Sequence, residues 1–275
     1  MLHCVRMSPL ILETVAVELP PNTFKRAILA GKPQIGLWCS LCSPYAIEVV
    51  AGSGFDWLLI DAEHQPNDLP LVTSQLQAAA AADPRGERSH VIVRPPWNDM
   101  VLVKQYLDAG AQSLLFPYVQ SEEEAARAVA STRYPPAGVR GVAGTTRATR
   151  FGRVKDYFTR CAEEICVLVQ IETRAGLDKL EAIAGVKGVD GVFIGPADLA
   201  AGLGHLGDMG HPEVRAAIDD AIRRIQACGK APGIIAGDEA QSRRYLELGC
   251  LFVAVGQDLS LLARQTEKLA AAFKP

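Results

Sequence analysis

Short apolar runs in this chain end in residues that can do chemistry. One closes with Asp61, Glu63 and His64, the next with Arg94, a later one with Gln170 and Glu172, and another is followed by Asp198. Ionisable groups beside apolar segments are costly to desolvate unless they are paired or bound to an ion. Any one of them reads equally well as half of a structural ion pair, but their concentration at successive run ends points to a site. Glu172 and Asp198 have no Cys and no second His beside them. Two carboxylates completed by water and substrate oxygens make an octahedral oxygen set, which suits Mg²⁺ or Mn²⁺ better than Zn²⁺, with Co²⁺ a third candidate. Such an ion leaves room for the carboxylate and keto oxygens of a 2-oxo acid and, as a Lewis acid, stabilises an enolate. His64 stands at a run end, and imidazole exchanges protons near neutral pH, which suits a general base. Arg94 presents a planar fork of donors for an oxyanion or carboxylate. It could equally balance Asp61 or Glu63, and the two roles are compatible.

Such residues need a scaffold that gathers strand ends. From Phe24 onward, short runs rich in Val, Ile and Leu alternate with longer segments of helical periodicity, and eight runs occur, at 34–39, 57–63, 91–95, 113–119, 166–172, 191–195, 233–236 and 251–256. Runs apolar on successive residues suit strands buried on both faces. Amphipathic stretches lie between them at 69–82, 121–132, 212–227 and 258–273, with an S-x-x-E capping box at Ser121 and Glu124 and a cap glycine at Gly229. Eight such alternations predict an α/β fold, a closed (β/α)₈ TIM barrel whose chemistry collects at the C-terminal strand ends; a doubly wound sheet is the structural alternative. The connection 134–156, with four Gly and five Arg or Lys, is long for a barrel link and reads as functional. Its Arg147, Arg150 and Arg153 suit a distal substrate carboxylate, a lid or an oligomer surface.

Composition narrows the functions. With 28 Lys plus Arg against 31 Asp plus Glu, the chain carries a formal charge of −3 and has no basic stripe for nucleic acid or an anionic membrane. No apolar run reaches the roughly 18 residues of a membrane span. Residues 1–21 read as an N-terminal arm ending in Pro20-Pro21, and 22–275 as a single barrel domain. Seven Cys, an odd number, make no disulfide framework and suit a reducing cytoplasm. None of the nine Lys lies within an expected strand, Lys230 coming closest, which disfavours imine chemistry. The G-x-G-x-x-G match at 202–207 lacks a strand-to-helix context and reads as a loop; Cys39-x-x-Cys42 has no second pair and reads as two thiols.

Several motifs together carry a resemblance: LLIDAEH at 58–64, VRPPWND at 93–99, YPPAGVRG at 134–141, VQIET at 169–173 and GVFIGPADL at 191–199. Over about residues 22–273 the chain resembles the HpcH/HpaI aldolases, metal-dependent class II pyruvate aldolases. The resemblance implies a phosphoenolpyruvate/pyruvate-type barrel with Glu172 and Asp198 as metal ligands and Gln170, Ala197 and Asp198 against pyruvate. His64 would be the base, Arg94 the stabiliser of developing charge and a substrate contact, and Asp108 the carboxylate that raises the basicity of His64. It also implies a homohexamer built on exchange of the last helix between subunits. The expected reaction is cleavage of a 4-hydroxy-2-oxo acid to pyruvate and an aldehyde, with the heptanedioate substrate first. A 2-dehydro-3-deoxyglucarate-type aldolase, a citryl-CoA-lyase-like enzyme and a non-catalytic 2-oxo-acid-binding protein are the alternatives. The loop 142–150 departs from the pattern of the heptanedioate enzymes, which leaves the acceptor aldehyde open.

Overall fold

Eight strands, β1 (Gln34–Cys39), β2 (Trp57–Asp61), β3 (His90–Arg94), β4 (Ser113–Phe116), β5 (Cys166–Ile171), β6 (Gly191–Ile194), β7 (Ala231–Ile235) and β8 (Phe252–Gln257), pair in parallel in sequence order. The last pairs with the first, Gln34 with Phe252, so the sheet closes and the doubly wound alternative is excluded. The computed structural model describes residues 17–82 and 89–274, so residues 1–16 of the expected arm lie outside the described residues.

Helix α1 (Thr23–Leu29) precedes β1. Then come α2 (Pro44–Ala51), α3 (Leu69–Ala81), α4 (Met100–Asp108), α5 (Glu122–Ser131), α6 (Tyr157–Glu164), α7 (Arg174–Asp178), α8 (Leu180–Gly185), α9 (Pro196–Gly202), α10 (Pro212–Ala227), α11 (Glu239–Glu247) and α12 (Asp258–Phe273). Side chains set where several begin: Asp68, Asp99 and Asp238 accept backbone N–H groups of the first turns of α3, α4 and α11. At α5, Ser121 caps Glu124 N, but the Glu124 carboxylate turns to Gln120 N rather than closing the box on Ser121.

Strand side chains alternate between faces, and this period of two sorts the sequence into two cores. Leu58, Ile60, Val167, Val169 and Val192 belong to the layer between sheet and helices. Trp38, Trp57, Leu59, Ile92, Leu168, Phe193 and Phe252 fill the barrel. Phe24 of α1 closes its N-terminal end, meeting Phe252 edge-on at 5.8 Å and Trp57 at 6.1 Å. Continued toward the C-terminal end, the inward parity runs 57-59-61, 92-94, 168-170-172 and 193-195. The apolar fill thus passes into Asp61, Arg94, Gln170, Glu172 and Gly195.

The interior has no spare volume at β1, where a Cβ on Gly36 would overlap the Trp57 indole. Gly36→Ala is expected to cost about 1–3 kcal/mol by overpacking, read as a lower urea midpoint at unchanged slope. An unchanged midpoint would refute that packing.

The long connection lies at the other end. It links α5 to α6 at the N-terminal face, where Arg140, fully buried, pairs with Asp108 at 2.7 Å and lies 4.6 Å over the Tyr134 ring. Arg147 donates to Ala109 O and Leu76 O. Within the chain Arg140 and Arg147 therefore stand at the face opposite the C-terminal strand ends. Lys230 donates to Val189 O at the same N-terminal end.

Candidate active site

Register places Asp61 beside Arg94 across β2 and β3. Asp61, buried, accepts both Arg94 Nε at 3.0 Å and Arg94 Nη2 at 2.7 Å. Burial alone would raise the Asp61 carboxyl, but the Arg94 fork and the Glu63 amide bring it below its ordinary value. Trp38 lies under the guanidinium at 4.6 Å and donates its indole N–H to Asp61 at 3.3 Å. Arg94 Nη1 also lies 2.8 Å from Glu63 Oε2. The structural and functional readings of Arg94 thus converge on one group: two acids orient it, and it still has N–H bonds to spare. His64 Nε2 stands 3.8 Å from Glu63, with its side chain 59% exposed. Asn67, tied to Asp61 O and Gln75, pins the turn that carries His64.

The other wall is acidic. Glu172, buried, accepts Gln170 Nε2 at 2.5 Å and the Tyr118 amide at 2.8 Å. Burial, with repulsion from Glu63 and Asp198, outweighs those bonds and pushes the carboxyl up to about 7. Asp198 and Ala197 sit exposed in the first turn of α9, which Gly195 and Pro196 start directly after β6. Buried Gln170 Oε1 has no hydrogen-bond partner. Carboxylates that repel one another around an orphaned oxygen fit a divalent cation, which would relieve the repulsion with hard oxygen donors. The backbone makes room, since a Cβ on Gly195 would lie 2.5 Å from Glu172 Oε2 and 3.0 Å from Gln170 Nε2. Gly195→Ala is therefore expected to weaken divalent-ion binding about 10- to 100-fold by displacing a ligand from its support. Calorimetry with Mn²⁺ checks this, and unchanged affinity would refute the role of the cradle.

The walls enclose a cavity of about 610 Å³, within the usual range for a small-molecule site. His64, Arg94, Gln170, Glu172, Ala197 and Asp198, all expected from the sequence, line it together with Trp38, Asp61 and Gly195. Asp108 does not. It ends α4, and a helix that returns from β3 to β4 delivers its last turn to the opposite face, where Asp108 meets Arg140. Within the chain it does not approach His64, so this structure does not bring the two together. No described lysine lines the mouth. Trp38 and the Tyr118 amide carry no chemical signature in sequence. Gly195 does carry one, as a glycine at an inward position between a strand and a proline.

A family model described as HpcH/HpaI aldolase/citrate lyase matches residues 34–265. The chain is similar to the 4-hydroxy-2-oxo-heptane-1,7-dioate aldolase of Klebsiella pneumoniae, 59% identical over 253 residues that cover 92% of this chain and 94% of that one. It is also 59% identical to a pyruvate aldolase of Rhizobium etli over 257 residues, 94% and 99% of the two chains. Among solved structures, an HpcH/HpaI aldolase/citrate lyase family protein from Burkholderia cenocepacia superposes with a TM-score of 0.88 at 44% identity, covering 91% and 98%.

Proposed function

The chain belongs to the HpcH/HpaI aldolase/citrate lyase family, and from that premise we propose a divalent-metal-dependent pyruvate aldolase that splits 4-hydroxy-2-oxo acids into pyruvate and an aldehyde. The heptanedioate substrate, which releases succinic semialdehyde, is the first choice, because the name of the Klebsiella relative states that substrate. The observation that carries the reading is the pairing of two unlike walls across one cavity, carboxylates on one side and an acid-oriented arginine with an exposed histidine on the other.

Glu172 and Asp198 are the residues to hold the ion, Mg²⁺ or Mn²⁺ before Co²⁺. When bound, it supplies Lewis acidity to the carboxylate and keto oxygens of a 2-oxo acid. Gln170 and the Ala197 segment of α9 contact the pyruvyl end. His64 accepts the proton of the C4 hydroxyl. As the C3–C4 bond breaks, its electron pair passes into the pyruvate enolate and the C4 oxygen leaves as an aldehyde carbonyl. The N–H bonds of Arg94 not engaged by Asp61 stabilise the developing charge. Reprotonation at C3 gives pyruvate, and the reverse sequence is aldol addition.

The reading includes a cytoplasmic homohexamer. Asp258 anchors the start of α12 by accepting Ser40 N at 2.7 Å, while Leu261, Leu262, Leu269 and Phe273 beyond it are 50–83% exposed, an apolar face that subunit exchange would cover. No helix among the described residues is long and apolar enough to cross a membrane. The direct test supplies candidate 4-hydroxy-2-oxo acids with Mg²⁺ or Mn²⁺ and reads pyruvate through lactate dehydrogenase. Pyruvate released with stoichiometric aldehyde supports the reading; none from any 4-hydroxy-2-oxo acid overturns it.

A further inference from the structure

Three ligand side chains that the aldol chemistry does not use meet beside the mouth. His205 Nε2 lies 2.9 Å from Glu213 Oε2, and the His205 and His211 rings stack with centroids 3.5 Å apart and planes within 16°. Ligand atoms of the three all lie within 4.8 Å of one another. Among the described residues this is the one group of three or more His, Cys, Asp and Glu with that mutual spacing.

Two helix termini fix the arrangement. His205 follows α9, its amide held by Ala200 O at 2.8 Å. His211 caps α10, its Nδ1 accepting Glu213 N at 3.2 Å, and Glu213 lies in the first turn. Arg174 stands 3.6 Å from the other Glu213 oxygen, leaving Oε2 toward the imidazoles. Both histidines are partly covered, so ordering them is partly achieved before any ion arrives.

We propose that His205, His211 and Glu213 form a second metal site, selective for Zn²⁺, Ni²⁺ or Co²⁺ and separate from the acidic mouth. The assignment follows from donor chemistry. Two imidazoles and one carboxylate, with water in the fourth position, make a tetrahedral set that zinc favours. Imidazole nitrogen discriminates against Mg²⁺ and Mn²⁺, which the all-oxygen mouth prefers. Around zinc at about 2.0–2.1 Å, ligand atoms sit about 3.4 Å apart. From within 4.8 Å the ligand atoms close to that spacing as the two rings turn out of their parallel stack, so that their in-plane nitrogen lone pairs converge on one ion. The ion replaces the hydrogen bond between His205 and Glu213 and ties the end of α9 to the start of α10. Met209, between the two histidines, lines the mouth cavity, so the clamp fixes one wall of that cavity.

The test titrates the full chain with Zn²⁺ in excess Mg²⁺, reading free zinc with a chromophoric chelator. The native chain is expected to hold about one more zinc per chain than the double variant His205→Gln with His211→Gln. Glu172→Ala is expected to retain that ion, so a defect confined to the mouth is told apart from one in the loop. Co²⁺ in place of Zn²⁺ should give the strong visible bands of a four-coordinate site without thiolate charge transfer. An unchanged zinc count in the double variant overturns the site, as does a thiolate band assigning the ion to cysteine. Pyruvate release by the double variant with Mg²⁺ alone shows that it is folded.

Discussion

Alanine at Glu172 or at Asp198 is expected to lower aldol cleavage by about 10³-fold or more, the rate equivalent of the several kcal/mol that a Lewis acid contributes. The two positions differ in surroundings. Glu172 is buried between Gln170 and the Tyr118 amide, whereas Asp198 is exposed in the first turn of α9. Both should nevertheless lose bound Mn²⁺ together with activity. For Glu172 the loss should not come from unfolding, because burial and two neighbouring carboxylates already oppose its charge, and removing it takes away no ion pair, only the hydrogen bonds from Gln170 and the Tyr118 amide. Metal content of the dialysed variants and their thermal melts check this. Full turnover of either variant in chelator would refute the ligand assignment.

Arg94→Ala has two consequences that can be separated. Loss of an oxyanion stabiliser costs roughly 10²–10³ in turnover. The same change strands Asp61, a buried acid whose two oxygens both rest on Arg94, and removing one partner of a buried pair costs about 3–5 kcal/mol. Arg94→Lys distinguishes them. An ammonium keeps the charge but cannot bridge both Asp61 oxygens and Glu63 at once, so stability should recover in part while turnover stays low. Denaturant midpoints and pyruvate release measured on the same preparations read the two effects. If Arg94→Lys restored turnover fully, charge alone would suffice and the fork geometry would be irrelevant.

Much of the mouth was legible because a strand displays every second side chain on one face. Asp61, Arg94, Gln170 and Glu172 each continue an inward series of apolar residues, so their positions follow from β2, β3 and β5 before any contact is known. Asp198 needed only its place after β6. What stayed hidden depends on separations that no local pattern encodes. The Arg140–Asp108 pair joins residues 32 positions apart, and it gathers the basic loop at the barrel's N-terminal face. The Tyr118 amide reaches Glu172 across 54 positions and has no side-chain signal at all. The runs 57–63 and 113–119 overshot their strands because the chain stays buried and bonded to the neighbouring strand beyond the paired residues: Ala62 N donates to Arg94 O and Val119 N to Gln170 O.

The most direct measurement follows the methyl protons of pyruvate by NMR in D₂O, with the native chain and Mg²⁺ or Mn²⁺ and without any aldehyde. A site that enolises pyruvate should wash deuterium into the methyl group, and Glu172→Ala or excess chelator should stop it. Native enzyme that leaves the methyl group fully protonated with metal present, or exchange that persists unchanged in Glu172→Ala under chelator, would contradict the account.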